Sequence, residues 1–223
     1  KTNDVVAPLV GPLDYGFRKY TILPEASPTP VPVVVGGFTP TVVTTPLGPE
    51  FTVGAYNLER FFDTVNDPGI GEPVLTAGAF DNRLNKASLG IRNHLKMPDV
   101  IGIVEIENLT TLQSLASRIS SDAIATAQPD PLYVAYLTEG NDVGGIDVGF
   151  LVKTAVVTGA TPRVTVNAVV QENAGELFVN PDPSPSLLND RPSLRLDGVI
   201  NHANGAAFPV TIIVNHLRSL NGS

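Results

Sequence analysis

The chain has no cysteine among its 223 residues, which excludes a disulfide framework and any thiolate-held zinc or iron. That absence leaves the compartment open, because a secreted protein need not use disulfides. Tryptophan is also absent, methionine occurs once, and aromatic residues make up only 6%. The apolar weight lies instead in Val, Ile and Leu, the residues of sheet interiors. No apolar run reaches the roughly 18 residues needed to cross a bilayer. Cationic side chains are scarce too. Fourteen Lys and Arg stand against 22 Asp and Glu, a formal charge of −8. This excludes nucleic-acid binding through bulk charge. An acidic protein handles phosphate only through bound cations and a few locally placed arginines. Lys1 opens the chain without an initiator Met or a basic-then-apolar leader, so a processed or trimmed piece is expected.

What is present is a β-rich pattern. The chain is 43% hydrophobic, enough for a buried core, and its 20 Gly and 20 Pro mark many turns. Tyr15, Phe17, Tyr20 and Ile22 alternate loosely, as in a small β segment ending near residue 26. Pro24, Pro28, Pro30, Pro32, Pro40, Pro46 and Pro49 then forbid regular helix. Residues 27–48 read as an extended linker, with room for a short strand at Val33–Val34–Val35. From residue 49 the punctuation changes. Apolar runs predict strands over 51–58, 100–104, 133–137, 146–152, 164–170, 194–200 and 208–214. Leu84, Ala87, Ile91 and Leu95 predict a helix over 83–97, stopped by Pro98. Asn108 is placed to cap a second helix over 108–126. The expected class is α+β, built from mixed sheets with helices between some of the strands.

Four places carry candidate chemistry. Asn57 ends the first strand, where a side chain points into a loop crevice, with Glu59 two residues on. The run PDVIGIVEIEN at 98–108 drives an apolar strand into Glu105 and Glu107. Carboxylates there must be paired, protonated or bound to a cation, and one carboxylate plus waters suits Mg²⁺. The run VTIIVNHLRS at 210–219 ends in Asn215 and His216, then Arg218. A histidine there can bond a phosphoryl oxygen or move a proton. Arg191, in Asp190–Arg191–Pro192, can bond phosphate bidentately or pair with Asp190. His94, on the polar side of its helix, and His202, in a loop, are expected in solvent. The run GNDVGG at 140–145 lacks the Gly-Lys-Ser/Thr ending of a phosphate loop and reads as a turn between strands.

Taken in order, these runs resemble the endonuclease/exonuclease/phosphatase superfamily, the DNase I-like fold. YNLERFFD at 56–63 resembles its first motif, PDVIGIVEIEN its second, and GGIDVGFLVK at 144–153 the sheet strand that follows. DRPSL at 190–194 is similar to the arginine-bearing run, and VNHLRS at 214–219 to the strand ending in an active-site histidine. Among members, VGAYNLERFFD, VEIEN and NHLRS look most like bacterial extracellular nucleases, and GPLDYGFRKYTILPE at 11–25 is similar to the end of a small β-domain that precedes some of them.

The resemblance implies a DNase I-like two-layer β-sandwich with flanking helices over 49–223. It also implies a secreted or periplasmic location and metal-dependent hydrolysis of phosphodiesters, with DNA or RNA as substrate. A phosphomonoesterase, a lipid phosphodiesterase or a non-catalytic binding module on the same fold are the alternatives. Glu105 would be the main ligand of Mg²⁺ (or Mn²⁺ or Ca²⁺), with Glu59 a secondary contact. Asn57 would orient a phosphate oxygen or a water, while His216 and Arg191 would neutralise phosphoryl charge. The family's Gly-Asp-x-Asn and Ser-Asp-His-like motifs do not occur before Ser223. The sandwich is therefore expected to be incomplete, and its general base to come from a continuation, a second chain or an oligomer. Residues 1–223 alone are then expected to be inactive.

Overall fold

A computed structural model describes residues 5–6, 10–16, 19–23, 33–34 and 41–217. The chain divides into two units, residues 1–41 and residues 42–223. In the first, β1 (Val5–Val6) pairs antiparallel with β4 (Val33–Val34). A hairpin joins β2 (Leu13–Gly16) to β3 (Lys19–Ile22). Its register sets Tyr15 opposite Tyr20, with ring centroids 4.6 Å apart. Phe17 and most of the proline-rich stretch, including Pro24, Pro28, Pro30, Pro32 and Pro40, lie outside the described residues. Pro46 and Pro49 fall in a segment without helix or strand.

The second unit runs β5 (Val53–Phe61), α1 (Ala77–Leu89), a π-helical turn (Gly90–His94), β6 (Val100–Ile106), α2 (Leu109–Ala125), β7 (Tyr133–Leu137) and β8 (Asp147–Lys153). It continues through β9 (Val156–Thr158), β10 (Thr161–Pro162), β11 (Val164–Gln171), β12 (Leu177–Val179), β13 (Pro185–Leu187), β14 (Leu194–Asn201) and β15 (Ala207–Val214). A four-stranded mixed sheet has the order β5-β6-β8-β7, with β5 and β6 parallel and the other pairs antiparallel. A three-stranded antiparallel sheet has the order β11-β14-β15. Two small hairpins, β9–β10 and β12–β13, complete the α+β arrangement.

Strand alternation divides the core in two. On β6, Ile101 and Ile103 join Leu112, Leu115 and Ile119 of α2 and Ile91 of the π-helical turn. Val100 faces the other way, packing with Val148, Phe150 and Val152 of β8 against Leu194, Leu196, Ile200 and Val214. The four-stranded sheet is thus covered by helices on one face and by the three-stranded sheet on the other. Each fully buried Ile or Leu contributes about 1.5–3 kcal/mol to this packing. The sheets approach closely at Gly102, where a Cβ would lie 3.2 Å from Val214 Cγ2.

The first helix differs from the sequence expectation. It starts at Ala77 rather than Arg83, because Thr76 Oγ1 accepts from Ala79 N and caps it. Its α-helical part ends at Leu89, and the apolar period at Ile91 and Leu95 runs on through the π turn. The second helix follows the expected start, with Asn108 Oδ1 accepting from Thr111 N at 2.8 Å.

Candidate functional site

Two irregular strand ends build the site. Along β6 the alternation breaks at Glu105, whose φ is +62°. Val104 pairs with Val148 and Ile106 with Asp147, so Glu105 is an extra, bulged residue. The bulge returns Ile106 to the helix-facing core and turns the Glu105 carboxylate out to the rim. Bulges re-aim side chains in this way. On the neighbouring strand, Asn57 pairs with Val104 and Phe61 with Ile106, leaving Leu58, Glu59 and Arg60 against one residue. Glu59 and Arg60 both hold left-handed φ values, +58° and +54°. Left-handed backbone costs a non-glycine residue of order 1–3 kcal/mol, so the surrounding contacts must hold the distortion in place.

Those contacts are visible. Asn57 Nδ2 donates to Glu105 Oε1 at 2.9 Å, and Arg60 N donates to Glu105 Oε2 at 2.9 Å. Glu59 N donates to Asn57 Oδ1 at 2.7 Å. Arg83, on α1, reaches back to donate to the carbonyls of Leu58 and Glu59. The strained strand end is therefore pinned to the Glu105 carboxylate from one side and to α1 from the other.

His216 comes in from the end of β15, its Nε2 3.4 Å from Glu105 Oε1. Arg191 Nη1 lies 3.1 Å from His216 Nδ1 and 3.3 Å from Nε2. A guanidinium only donates, so the ring nitrogen it engages is unprotonated. The shorter contact to Nδ1, with Nε2 turned to a carboxylate, assigns the ring proton to Nε2. Burial, and then the positive charge of Arg191, hold the His216 pKa below its ordinary value despite Glu105 and Asp142. The ring is accordingly neutral at pH 7.

Asn57, Glu105, Arg191 and His216 are thus brought into one contact network from four separate parts of the chain. Glu59 is present through its backbone, and it lines a cleft of roughly 570 Å³ beside Asn57. A smaller hollow of roughly 190 Å³ opens at Arg191, Ser193, Asn215 and His216. Arg218 lies outside the described residues. Asp142 is a member that sequence reasoning missed. It reads as turn chemistry because its Oδ1 accepts from Gly144 N at 2.7 Å. Its other oxygen, Oδ2, is 3.4 Å from Arg191 Nε and steadies that guanidinium.

Two carboxyl groups lie buried near the rim. Glu107 Oε2 accepts from Asp63 N at 2.7 Å and from Thr111 Oγ1 at 3.2 Å, while its Oε1 is buried with no partner. Burial, with the nearby charges of Asp63 and Asp67, pushes its pKa up to about 7. Asp147 is also raised, by burial and by a hydrogen bond shared with Glu139. The histidines away from the rim correct the sequence reading. His202 is buried, with Nδ1 3.1 Å from Arg163 Nη1, because Arg163 reaches across to bond Asp99 as well. His94 is half-buried, and its Nδ1 is enclosed without a hydrogen-bond partner.

The donor set at the rim fits a hard divalent cation. It offers one carboxylate, one side-chain amide and no sulfur, leaving the remaining positions to water and substrate oxygens, as Mg²⁺ prefers. Among the described residues, no group of three or more His, Asp or Glu side chains is placed to hold a metal. Glu105 would therefore hold such an ion without a full protein cage. Compared with known proteins, the chain matches no family model, no curated protein and no solved structure.

Proposed function

We propose that this chain carries the site of a divalent-cation-dependent phosphodiesterase acting on nucleic acid, on a DNase I-like two-layer sandwich. The carrying observation is the convergence of Glu105, Asn57, His216 and Arg191 at one rim, with Glu105 presented by a bulge and Asn57 beside strained backbone. Strain of this kind persists where surrounding structure over-determines it, and it clusters at functional sites. The layered arrangement of a four-stranded mixed sheet, a three-stranded sheet and two helices supports the same reading. A bacterial secreted or periplasmic setting belongs to this proposal.

In this reading Glu105 holds Mg²⁺, Mn²⁺ or Ca²⁺, with Glu59 as a secondary contact. The bound cation supplies Lewis-acid polarisation of a phosphoryl oxygen and charge neutralisation on the leaving oxygen. Asn57 orients a phosphate oxygen through its amide. His216, with its proton on Nε2 and its Nδ1 engaged by Arg191, is a neutral donor to a phosphoryl oxygen rather than a base. Arg191, steadied by Asp142, places a fixed positive charge where phosphoryl charge grows.

The test is hydrolysis by the full-length protein of bis(p-nitrophenyl) phosphate, a diester, against p-nitrophenyl phosphate, a monoester. The expected result is chelator-sensitive hydrolysis of the diester and little of the monoester. A preference for the monoester would replace this reading with a phosphomonoesterase. Binding of DNA without hydrolysis of any ester would leave a non-catalytic module.

A further inference from the structure

The charges around the second unit divide unevenly. Arg92, Arg118, Lys153, Arg163, Arg191 and Arg195 each lie within ion-pair distance of a carboxylate. Among the described side chains, Arg60, Arg83, Lys86 and Lys96 have no such partner. Three of these four, Arg60, Arg83 and Lys86, line the cleft that Asn57 also lines. In a chain of formal charge −8, three cations gathered in one hollow against the single carboxylate of Glu59 make a local anion-attracting surface.

The three have different duties. Arg83 is committed to the carbonyls of Leu58 and Glu59 and sits over the Phe61 ring at 5.2 Å, so it is a positioning residue for the strained end of β5. Lys86 is exposed, in the last turn of α1, and its side chain makes no hydrogen bond among the described residues. Arg60 is exposed, with its guanidinium 5.3 Å from the Phe62 ring centroid. Among the described residues no carboxylate lies within ion-pair distance of it, although its backbone N–H already serves Glu105. The left-handed conformation at residues 59 and 60 therefore does two things at once. It offers an amide to the carboxylate and sets the Arg60 side chain on the wall of the adjacent cleft.

We propose that this cleft is a subsite for a second phosphate of a polynucleotide, held by Arg60 and Lys86, beside the phosphate gripped at the Glu105–His216 rim. This inference rests on the phosphodiesterase reading and deepens it, because a substrate with a single phosphate has no use for such a subsite. Nucleic acid is favoured over a small phosphoester by the cleft's size, its continuity with Asn57 and its unpaired cations.

The experiment is equilibrium binding of a short fluorescent DNA duplex across a salt series, with EDTA present so that the duplex stays intact. The proteins are wild type, Arg60→Gln/Lys86→Gln and Lys96→Gln. Each lost phosphate contact lowers the log–log salt slope by about 0.9, so the double variant should be shallower by about 1.8 and bind at least about tenfold more weakly. Lys96→Gln, which removes an unpaired cation outside the cleft, should follow wild type. A double variant with the wild-type slope would overturn the proposal, as would a wild type that does not bind. An equal effect of Lys96→Gln would overturn it too, because attraction would then be general rather than local. Diester hydrolysis by the same wild-type preparation reports on the phosphodiesterase reading separately. Its absence, with the slope change present, would leave a DNA-binding cleft and remove the catalysis.

Discussion

At the scale of single residues, identity was readable from sequence but environment was not. Asn57, Glu105, Arg191 and His216 stand at strand ends, and strand ends can be inferred from apolar runs that stop. Their partners come from loops whose folding no local pattern announces, so Asp142 passed as a turn residue. The fate of Glu107 was half legible, since a carboxylate beside an apolar strand must be paired, protonated or cation-bound. The structure supplies the particulars: hydrogen bonds from Asp63 N and Thr111 Oγ1, a partnerless Oε1, and a pKa raised from 4.5 to about 7. The sign of the consequence follows directly. The folded state holds this proton more tightly than the unfolded chain, so the contribution is fully present below the unfolded value. It is lost as pH rises through about 7. Glu107→Gln keeps an oxygen to accept from Asp63 N and removes the titration. Thermal melts of variant and wild type should therefore diverge as pH rises from about 5 to about 8, with the variant gaining. Parallel melting curves across that range would show that Glu107 does not titrate there.

At the scale of elements, the second helix and the inner strands were legible because their periods are clean. Asn108 caps α2 as expected, and Leu112, Leu115 and Ile119 form its buried stripe, while Leu109 is only half-buried. The start of α1 was missed because Ala77, Gly78 and Ala79 carry no amphipathic signal, and Thr76 alone marks the cap. The β12–β13 hairpin was missed because its strands are three residues each and exposed on both faces. The bulge at Glu105 has no sequence signature at all. It is set by register, which depends on three strands together. Close approach of α2 to the sheet is equally silent in sequence, yet it makes a sharp prediction at Gly149. A Cβ there would lie 2.8 Å from Leu112 Cδ2 and 2.9 Å from the carbonyl oxygen of Tyr136. The backbone oxygen cannot swing away, so Gly149→Ala should cost about 1–3 kcal/mol. Urea denaturation measures it, and an unchanged midpoint would show that α2 sits further from β8 than described.

At the scale of the whole molecule, the architecture exists to carry irregular strand ends on regular layers. Helices on one face and a second sheet on the other hold the inner strand β6, and β6 in turn holds the edge strand β5. The distortions at Glu59, Arg60 and Glu105 are thereby tolerated at the rim. In the proposed reading the acidic surface repels polyanions in general, while Arg191 and the cleft cations attract them locally. Layering and fold class could be read from the order of strands and helices. The meeting of Glu105 with His216 could be expected only through resemblance, since tertiary contact between distant strand ends leaves no trace in periodicity. That meeting is the centre of the account, and nicking of supercoiled plasmid tests it most directly. The assay compares the full-length protein with its Glu105→Gln variant, in Mg²⁺ or Mn²⁺, with circular dichroism confirming an intact fold. On the proposal that Glu105 holds the cation, its loss should lower the nicking rate by at least about a hundredfold. A folded Glu105→Gln protein that nicks plasmid at the wild-type rate would contradict the account.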